Sequence, residues 1–352
     1  MTYYRAASCR LRYRAATVRE RGFALALFLV LYQCPSFAQE LVGAGATFPE
    51  PLYSKWFAGF AVRRQDYHIR YNGVGSQEGI RRLREGSVDF AASDMPLDDS
   101  EIAKLPRPVV QLPSAIGAVV PIYNVEGLTE DLRLSPEALA GIFLGRIHRW
   151  NDPAIKTINR GAMLPDHEIR VVHRTDGSGT TFVWTDYLSK VSPQWKSTVG
   201  VGTTVKWPVG VEATGNEGTA QRVRETPYSI GYVEFIYALY QKLSYGAIKN
   251  SSGRFISADV ESISAAASGS PSVPANFQVS ITNAPGRKSY PVAAFTYLLI
   301  PVTTGNAVKD SFLREFLQWA LSSGQRQSPG LGFGSLPPDM VAREQRAIRS
   351  LP

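Results

Sequence analysis

Beyond residue 38 the chain alternates short apolar runs, which read as buried strands, with segments whose apolar positions recur at helical spacing. Leu41 and Val42 lead into a glycine loop. Residues 49–60 carry an aromatic face (Tyr53, Trp56, Phe57, Phe60) that predicts a helix. Residues 68–71 alternate as a strand ending at Gly73-Val74-Gly75-Ser76, and 79–84 predict a helix with Ser76 as its cap. Residues 88–92 predict a buried strand ending at Ser93-Asp94, and a short helix is expected after Asp98-Asp99-Ser100. Ser135-Pro136-Glu137 opens a helix with a cap and a proline at the first helical position. Residues 169–172 predict a strand that delivers Arg174, 216–224 a helix, 230–233 a strand and 307–321 a strong helix. Residues 251–280, rich in Ser, Ala, Gly and Pro, predict a helix plus a surface loop. Two apolar runs, 116–122 and 290–302, mirror each other as strands carrying the chain between domains. The pattern predicts an α/β protein with one domain inserted into another.

The first 38 residues stand outside this alternation. An Arg-rich stretch precedes an apolar run at 23–32, then Ser36-Phe37-Ala38 places small residues three and one before a cut. This is the anatomy of a secretory signal, too short in its apolar run to span a bilayer, with cleavage predicted after Ala38. A lipoprotein reading through Leu31-Tyr32-Gln33-Cys34 is disfavoured because Gln33 stands where a small residue is wanted. Loss of the leader removes six Arg and one Glu, so the formal charge of +8 drops by five to +3, and no argument for nucleic acid survives from charge. Both cysteines, Cys9 and Cys34, leave with it, which excludes disulfides, Cys nucleophiles and thiolate metal sites from the mature chain. The length of 352 residues predicts two domains, and a content of 44% hydrophobic and 19% charged residues is that of an ordinary globular protein.

The pattern G-x-G-x-T-F occurs twice, at Gly43–Phe48 and Gly177–Phe182, each running into a helical segment. Glycines before a helix expose backbone N–H groups at the positive end of its dipole, which suits an anion. Four segments fall at the carboxyl ends of expected strands, where α/β sheets place ligands: Ala46-Thr47-Phe48, Gly75-Ser76, Ser93-Asp94, and Arg174 to Thr180. They offer hydroxyls from Thr47, Ser76, Ser178 and Thr180, one guanidinium and one uncompensated carboxylate. A carboxylate beside an anion is tolerated only when the anion carries a proton to donate. Hydrogen phosphate does so near neutral pH and sulfate does not, so Asp94 is expected to select between them. Asp176, two residues from Arg174, is expected to hold the guanidinium against the ligand. No G-x-x-x-x-G-K-[ST] sequence is present, and Ser178 with His173 nearby lacks a third catalytic member. The four scattered histidines show no metal spacing, so neither a metal nor a cofactor is expected.

These segments, with Trp150-Asn151-Asp152, residues 205–210 and Gly231-Tyr232-Val233-Glu234, resemble the periplasmic phosphate-binding proteins of bacterial ABC-type phosphate transporters, the PstS family. The resemblance runs in order from about Val42 to Leu336. It implies a two-lobed periplasmic-binding-protein fold of type II, two α/β domains joined by two crossing strands. The implied lobe I is 39–116 plus 291–352 and lobe II is 117–290. The implied phosphate ligands are Thr47, Phe48 (through its backbone amide), Ser76, Asp94, Arg174, Ser178, Gly179 and Thr180, with Asp176 supporting Arg174. The expected partners are inorganic phosphate and the permease and ATPase subunits of a phosphate transporter, and the expected state is a periplasmic monomer, not an enzyme. Gln77-Glu78 departs from the family's small residues: Glu78 would either weaken anion binding or turn away to pair with Arg81 or Arg82. Receptors for arsenate or sulfate, or a secreted phosphatase on the same scaffold, are the competing expectations.

Overall fold

The computed structural model describes residues 39–128, 131–269 and 273–351, so the expected secretory leader and the expected cut after Ala38 lie outside the described residues. Chain order begins β1 (Gln39–Gly45), α1 (Glu50–Ala61), β2 (Tyr67–Gly73), α2 (Ser76–Arg84), β3 (Phe90–Ser93), α3 (Asp99–Ala103) and β4 (Val109–Asn124). It continues through β5 (Arg133–Leu134), α4 (Pro136–Phe143), α5 (Pro153–Lys156), β6 (Arg170–Arg174), α6 (Gly179–Val191) and α7 (Pro193–Thr198). Then come β7 (Val211–Ala213), α8 (Gly215–Glu225), β8 (Ser229–Glu234), α9 (Phe235–Tyr240), β9 (Ser244–Tyr245), β10 (Ala247–Lys249) and β11 (Phe255–Ile256). The last are α10 (Val260–Ser268), β12 (Ala293–Pro301), α11 (Ala307–Trp319) and α12 (Pro338–Arg349).

The main sheet runs β2-β1-β3-β12-β4-β8-β6-β7, with β9 also bonded to β4. Strand β1 pairs in parallel with β2 on one side and β3 on the other, and β6 likewise with β7 and β8. Parallel pairs need crossovers, and α1 and α2 supply them in the first set. Strand β4 belongs to both sets. Its residues 109–118 pair antiparallel with β12, and its residues 119–124 pair antiparallel with β8. The expected run at 116–122 is therefore the middle of one 16-residue strand, buried along nearly its whole length.

Each half has its own aromatic core. In the first, Phe57 and Phe60 of α1 pack on Phe312, Phe316 and Trp319 of α11. In the second, Trp184 of α6 stacks on Tyr232 of β8, with Phe143 and Trp207 against both flanks. Local chemistry sets helix starts as expected at two places. Asp98 and Glu101 form a reciprocal capping box on α3, and Ser135 Oγ accepts from Ala138 N at 3.1 Å ahead of Pro136.

Helix α2 lies so close on β1 that a Cβ added at Gly79 would fall 2.4 Å from Gly45 Cα and 2.7 Å from Ala44 O. This contact sets the depth at which Ser76, at the start of α2, meets the ends of β1 and β3. An exposed helical glycine changed to alanine gains about 1 kcal/mol. Here Gly79→Ala is expected instead to lose about 1–3 kcal/mol through overpacking. Urea denaturation of the two proteins decides; a gain would show that α2 does not rest on β1 this tightly.

Candidate functional site

Loops after β1, β2, β3 and β6 converge, and three of them open directly into α1, α2 and α6. Positive helix ends and the unpaired N–H groups of first turns therefore face one place. The chain around Asp94 shows how tightly. Asp94 is 2% exposed, and Thr296 Oγ1 donates to its Oδ1 at 2.7 Å. Its other oxygen, Oδ2, is buried without a hydrogen-bond partner among the described residues. Burial pushes its pKa up to about 7, against the Thr296 hydrogen bond and the charge of Arg174.

Ser76 does not cap α2, contrary to the reading of the sequence: it is the helix's first residue, and the cap position is Gly75. Its hydroxyl instead accepts from Asp94 N at 3.2 Å, joining the ends of β2 and β3. Gly179, the first residue of α6, presses on this pair. A Cβ there would fall 2.2 Å from Ser76 Oγ and 2.4 Å from Asp94 Oδ2, so no other residue type fits without displacement. Ser178 is the cap of α6, its Oγ accepting from Thr181 N at 3.1 Å.

Arg174, at the end of β6, is buried and held by Asp176: Nε donates to Oδ1 at 2.6 Å and Nη2 donates to Oδ2. Burial pushes the Asp176 carboxyl up, but the hydrogen bonds and charge of Arg174 outweigh it and the net pKa is lowered. Asp176 also accepts from Gly215 N at 3.1 Å. The third guanidinium nitrogen, Nη1, is buried with no partner among the described residues. Thr47 and Thr180 are joined through Asn216, whose Nδ2 donates to their hydroxyls at 2.9 and 3.2 Å. Phe48 turns its ring into the core against Phe333, so only its backbone remains for a ligand.

The nine residues expected from sequence thus gather at one place, five of them on β6, α6 and the loop between. Several others that hold them were not foreseen. Thr296 is the only aliphatic polar side chain in the otherwise aliphatic and aromatic strand β12, which was the signal available. Asn216 was read only as the start of a helix. The Tyr232 hydroxyl takes the Arg174 backbone N–H at 3.3 Å and shares a 2.7 Å hydrogen bond with Thr181. Tyr237 OH donates to Thr47 O at 2.6 Å. Glu234 caps α9 through Oε2, accepting from Ile236 N at 2.8 Å; burial above all raises its pKa well beyond the ordinary range, with the Asp94 charge adding to it. Of the two outcomes open for Glu78, the structure takes the second: its carboxylate binds Arg81 and Arg82 at 2.7 Å each. Gln77 spans the site's rim, with Gln77 N donating to Gly177 O at 3.0 Å and Thr203 Oγ1 donating to Gln77 Oε1 at 3.2 Å.

The sequence profile of the PBP superfamily domain matches residues 33–323. The phosphate-binding protein PstS of Xylella fastidiosa (strain Temecula1) is 44% identical over 304 residues, covering 86% of this chain and 83% of that protein. The phosphate-binding protein PstS of Pasteurella multocida is 40% identical over 328 residues, covering 93% of this chain and 94% of that one. Among solved structures, a high affinity periplasmic phosphate-binding protein bound with phosphate has a TM-score of 0.73 at 22% identity, covering 88% of this chain and 93% of its own. A phosphate ABC transporter substrate-binding protein with bound phosphate from Clostridium perfringens has a TM-score of 0.63 at 18% identity, covering 85% and 100%. These two structures carry the fold: two α/β lobes of the type II arrangement.

The state of Asp94 has a consequence for stability. Folded, it keeps its proton up to about pH 7, whereas an unfolded Asp releases it near about 3.9. Between these values the folded protein binds the extra proton, so this contribution is full below the unfolded pKa and is lost as pH rises through the folded one. In phosphate-free buffer, Asp94→Asn is therefore expected to gain stability relative to the parent as pH rises from about 4 to about 8. Thermal melts across that range test it; a constant difference would mean that the carboxylate is not desolvated.

Proposed function

The chain belongs to the PstS family of phosphate-binding proteins, and we propose that it captures inorganic phosphate between two lobes and delivers it to an ABC-type permease for import. Lobe I would comprise 39–116 with 291–352 and lobe II 117–290, β4 being the strand shared by both. The proposed ligands are Thr47, the Phe48 amide, Ser76 and Asp94 from lobe I, and Arg174, Ser178, Gly179 and Thr180 from lobe II, with Asp176 fixing Arg174. The protein would act in the periplasm after loss of the leader at Ala38, as a monomer. Its work is binding and closure with no bond broken, and its partners are the membrane permease and ATPase subunits.

The observation that carries the reading is the bare, buried oxygen of Asp94 in a site otherwise made of donors. An anion with a P–OH satisfies that oxygen, while the other oxygens take hydroxyls, N–H groups and Arg174 Nη1. Sulfate has no proton near neutral pH and would set charge against charge, provided that Asp94 is ionised. Below its pKa of about 7 Asp94 carries a proton of its own and can donate to sulfate, so the discrimination is pH-dependent.

Calorimetry on phosphate-stripped protein is expected to show tight, one-site uptake of phosphate, with a change in tryptophan fluorescence through Trp184, which stacks on Tyr232 at 5.3 Å. Sulfate is expected to compete poorly at about pH 8 and better at about pH 5, the selectivity ratio falling with acidity. Asp94→Asn should lower phosphate affinity and flatten that ratio. Equal titration by the two anions at alkaline pH would sink the role given to Asp94.

A further inference from the structure

Each hydroxyl proposed to touch the anion has its oxygen already engaged as an acceptor. Ser76 Oγ takes the Asp94 N–H, Ser178 Oγ takes the Thr181 N–H, and Thr47 and Thr180 take Asn216. A hydroxyl has a single hydrogen and can turn it in several directions. An oxygen that accepts from a fixed N–H keeps that hydrogen for another partner. For the two serines the fixed donor is backbone. For the two threonines it is one fully buried side chain, in the first turn of α8.

An amide can present either its NH2 or its oxygen to a neighbour, so the orientation of Asn216 decides the polarity of both threonines. That orientation is set from behind. Asn216 Oδ1 accepts from Glu234 N at 3.0 Å, and a backbone N–H cannot accept. The oxygen must lie there, and both N–H groups must face Thr47 and Thr180. Glu234 N is free for this because β6 pairs with β8 only at Ser229 and Ile230, short of that residue. Thr47 lies after β1 in the first half of the sheet, while Asn216 and Thr180 stand in the second. One amide therefore links the halves and orients a donor from each.

We propose that Asn216 is a positioning residue for phosphate: it forces the hydroxyls of Thr47 and Thr180 to act as donors toward the bound anion, without touching it. The proposal rests on the site reading given above and adds to it a residue that the ligand set does not contain. The competing account is that Asn216 merely braces the first turn of α8.

The first test is Asn216→Asp, which is nearly isosteric but accepts where the amide donates. Its carboxylate would draw both threonine hydrogens away from the anion and add a negative charge. Phosphate affinity, measured by calorimetry on stripped protein, is expected to drop by about 100-fold or more at about pH 8. The ratio to the parent should shrink by about 10-fold at about pH 5, because burial at this fully enclosed position raises the new carboxyl above its ordinary range and, once protonated, its single O–H can donate to one of the threonines. A flat ratio overturns the proposal; because the added charge by itself repels an anion until it is protonated, the mutant cycle below separates hydroxyl orientation from charge.

Whether or not that variant folds by circular dichroism, a mutant cycle decides between orientation and bracing. Asn216→Ala is expected to weaken phosphate binding about 10-fold in the parent and less than about 2-fold in a Thr47→Val, Thr180→Val background. Equal losses in both backgrounds would show that Asn216 does not act through the hydroxyls. A parent protein that takes up no phosphate at all overturns the site reading and this assignment together. Parent binding combined with a flat ratio or equal losses overturns the assignment alone.

Discussion

Asp94 is fastened at one carboxylate oxygen by the Thr296 hydroxyl and left bare at the other, in a place almost closed to water. A buried acceptor without a partner costs free energy unless something arrives to satisfy it. The surroundings respond to that demand. Ser76 is tied to the Asp94 backbone, Gly179 leaves room where any side chain would collide with both, and Arg174 keeps one nitrogen unused while Asp176 holds the other two. On the proposed reading, donors and one acceptor are set before the anion enters. Recognition then requires little rearrangement of side chains.

The fold supplies this arrangement by bringing strand ends together rather than by any single motif. Parallel strands on each side of β4 end at the same level, and the helices that follow them begin there. Strand β4 carries the hydrogen-bond ladder from one set to the other, with one register shift opposite Thr296 and Tyr297. The two halves are then stitched across the site by Asn216 to Thr47, Tyr237 to the Thr47 carbonyl, and Gln77 to Gly177 and Thr203. All of these contacts are polar and lie at the rim or floor of the site. Polar contacts of this sort are suited to forming and breaking when lobes move, because water replaces them at modest net cost.

Much of this was legible along the chain. The helices at 49–60 and 307–321, the strand at 230–233 and the caps at Asp98 and Ser135 follow from apolar spacing and local hydrogen bonding. Both act over a few residues, and the structure places them within a residue or two. The doubled G-x-G-x-T-F pattern marked two helix starts that do meet, Thr47 and Thr180 being joined through Asn216; on the proposed reading they serve in different registers, Thr47 and Phe48 in one copy and Ser178 to Thr180 in the other. Ser76 was misread because its spacing suits a cap equally well, and only the approach of β3 diverts its hydroxyl to Asp94.

What the sequence determined by itself was the inventory: which residues carry donors, which lone carboxylate stands beside them, and where strands and helices alternate. These depend on residue type and near neighbours, which a one-dimensional pattern contains. What only the tertiary structure decided was polarity and pairing. Thr296 lies 202 positions from the carboxylate that it anchors, and Asn216 lies 169 from Thr47. No local spacing encodes such partners, since each hydrogen bond is made only after the sheet has closed the distance. The direction in which a hydroxyl points is a property of that assembled surrounding, not of the residue.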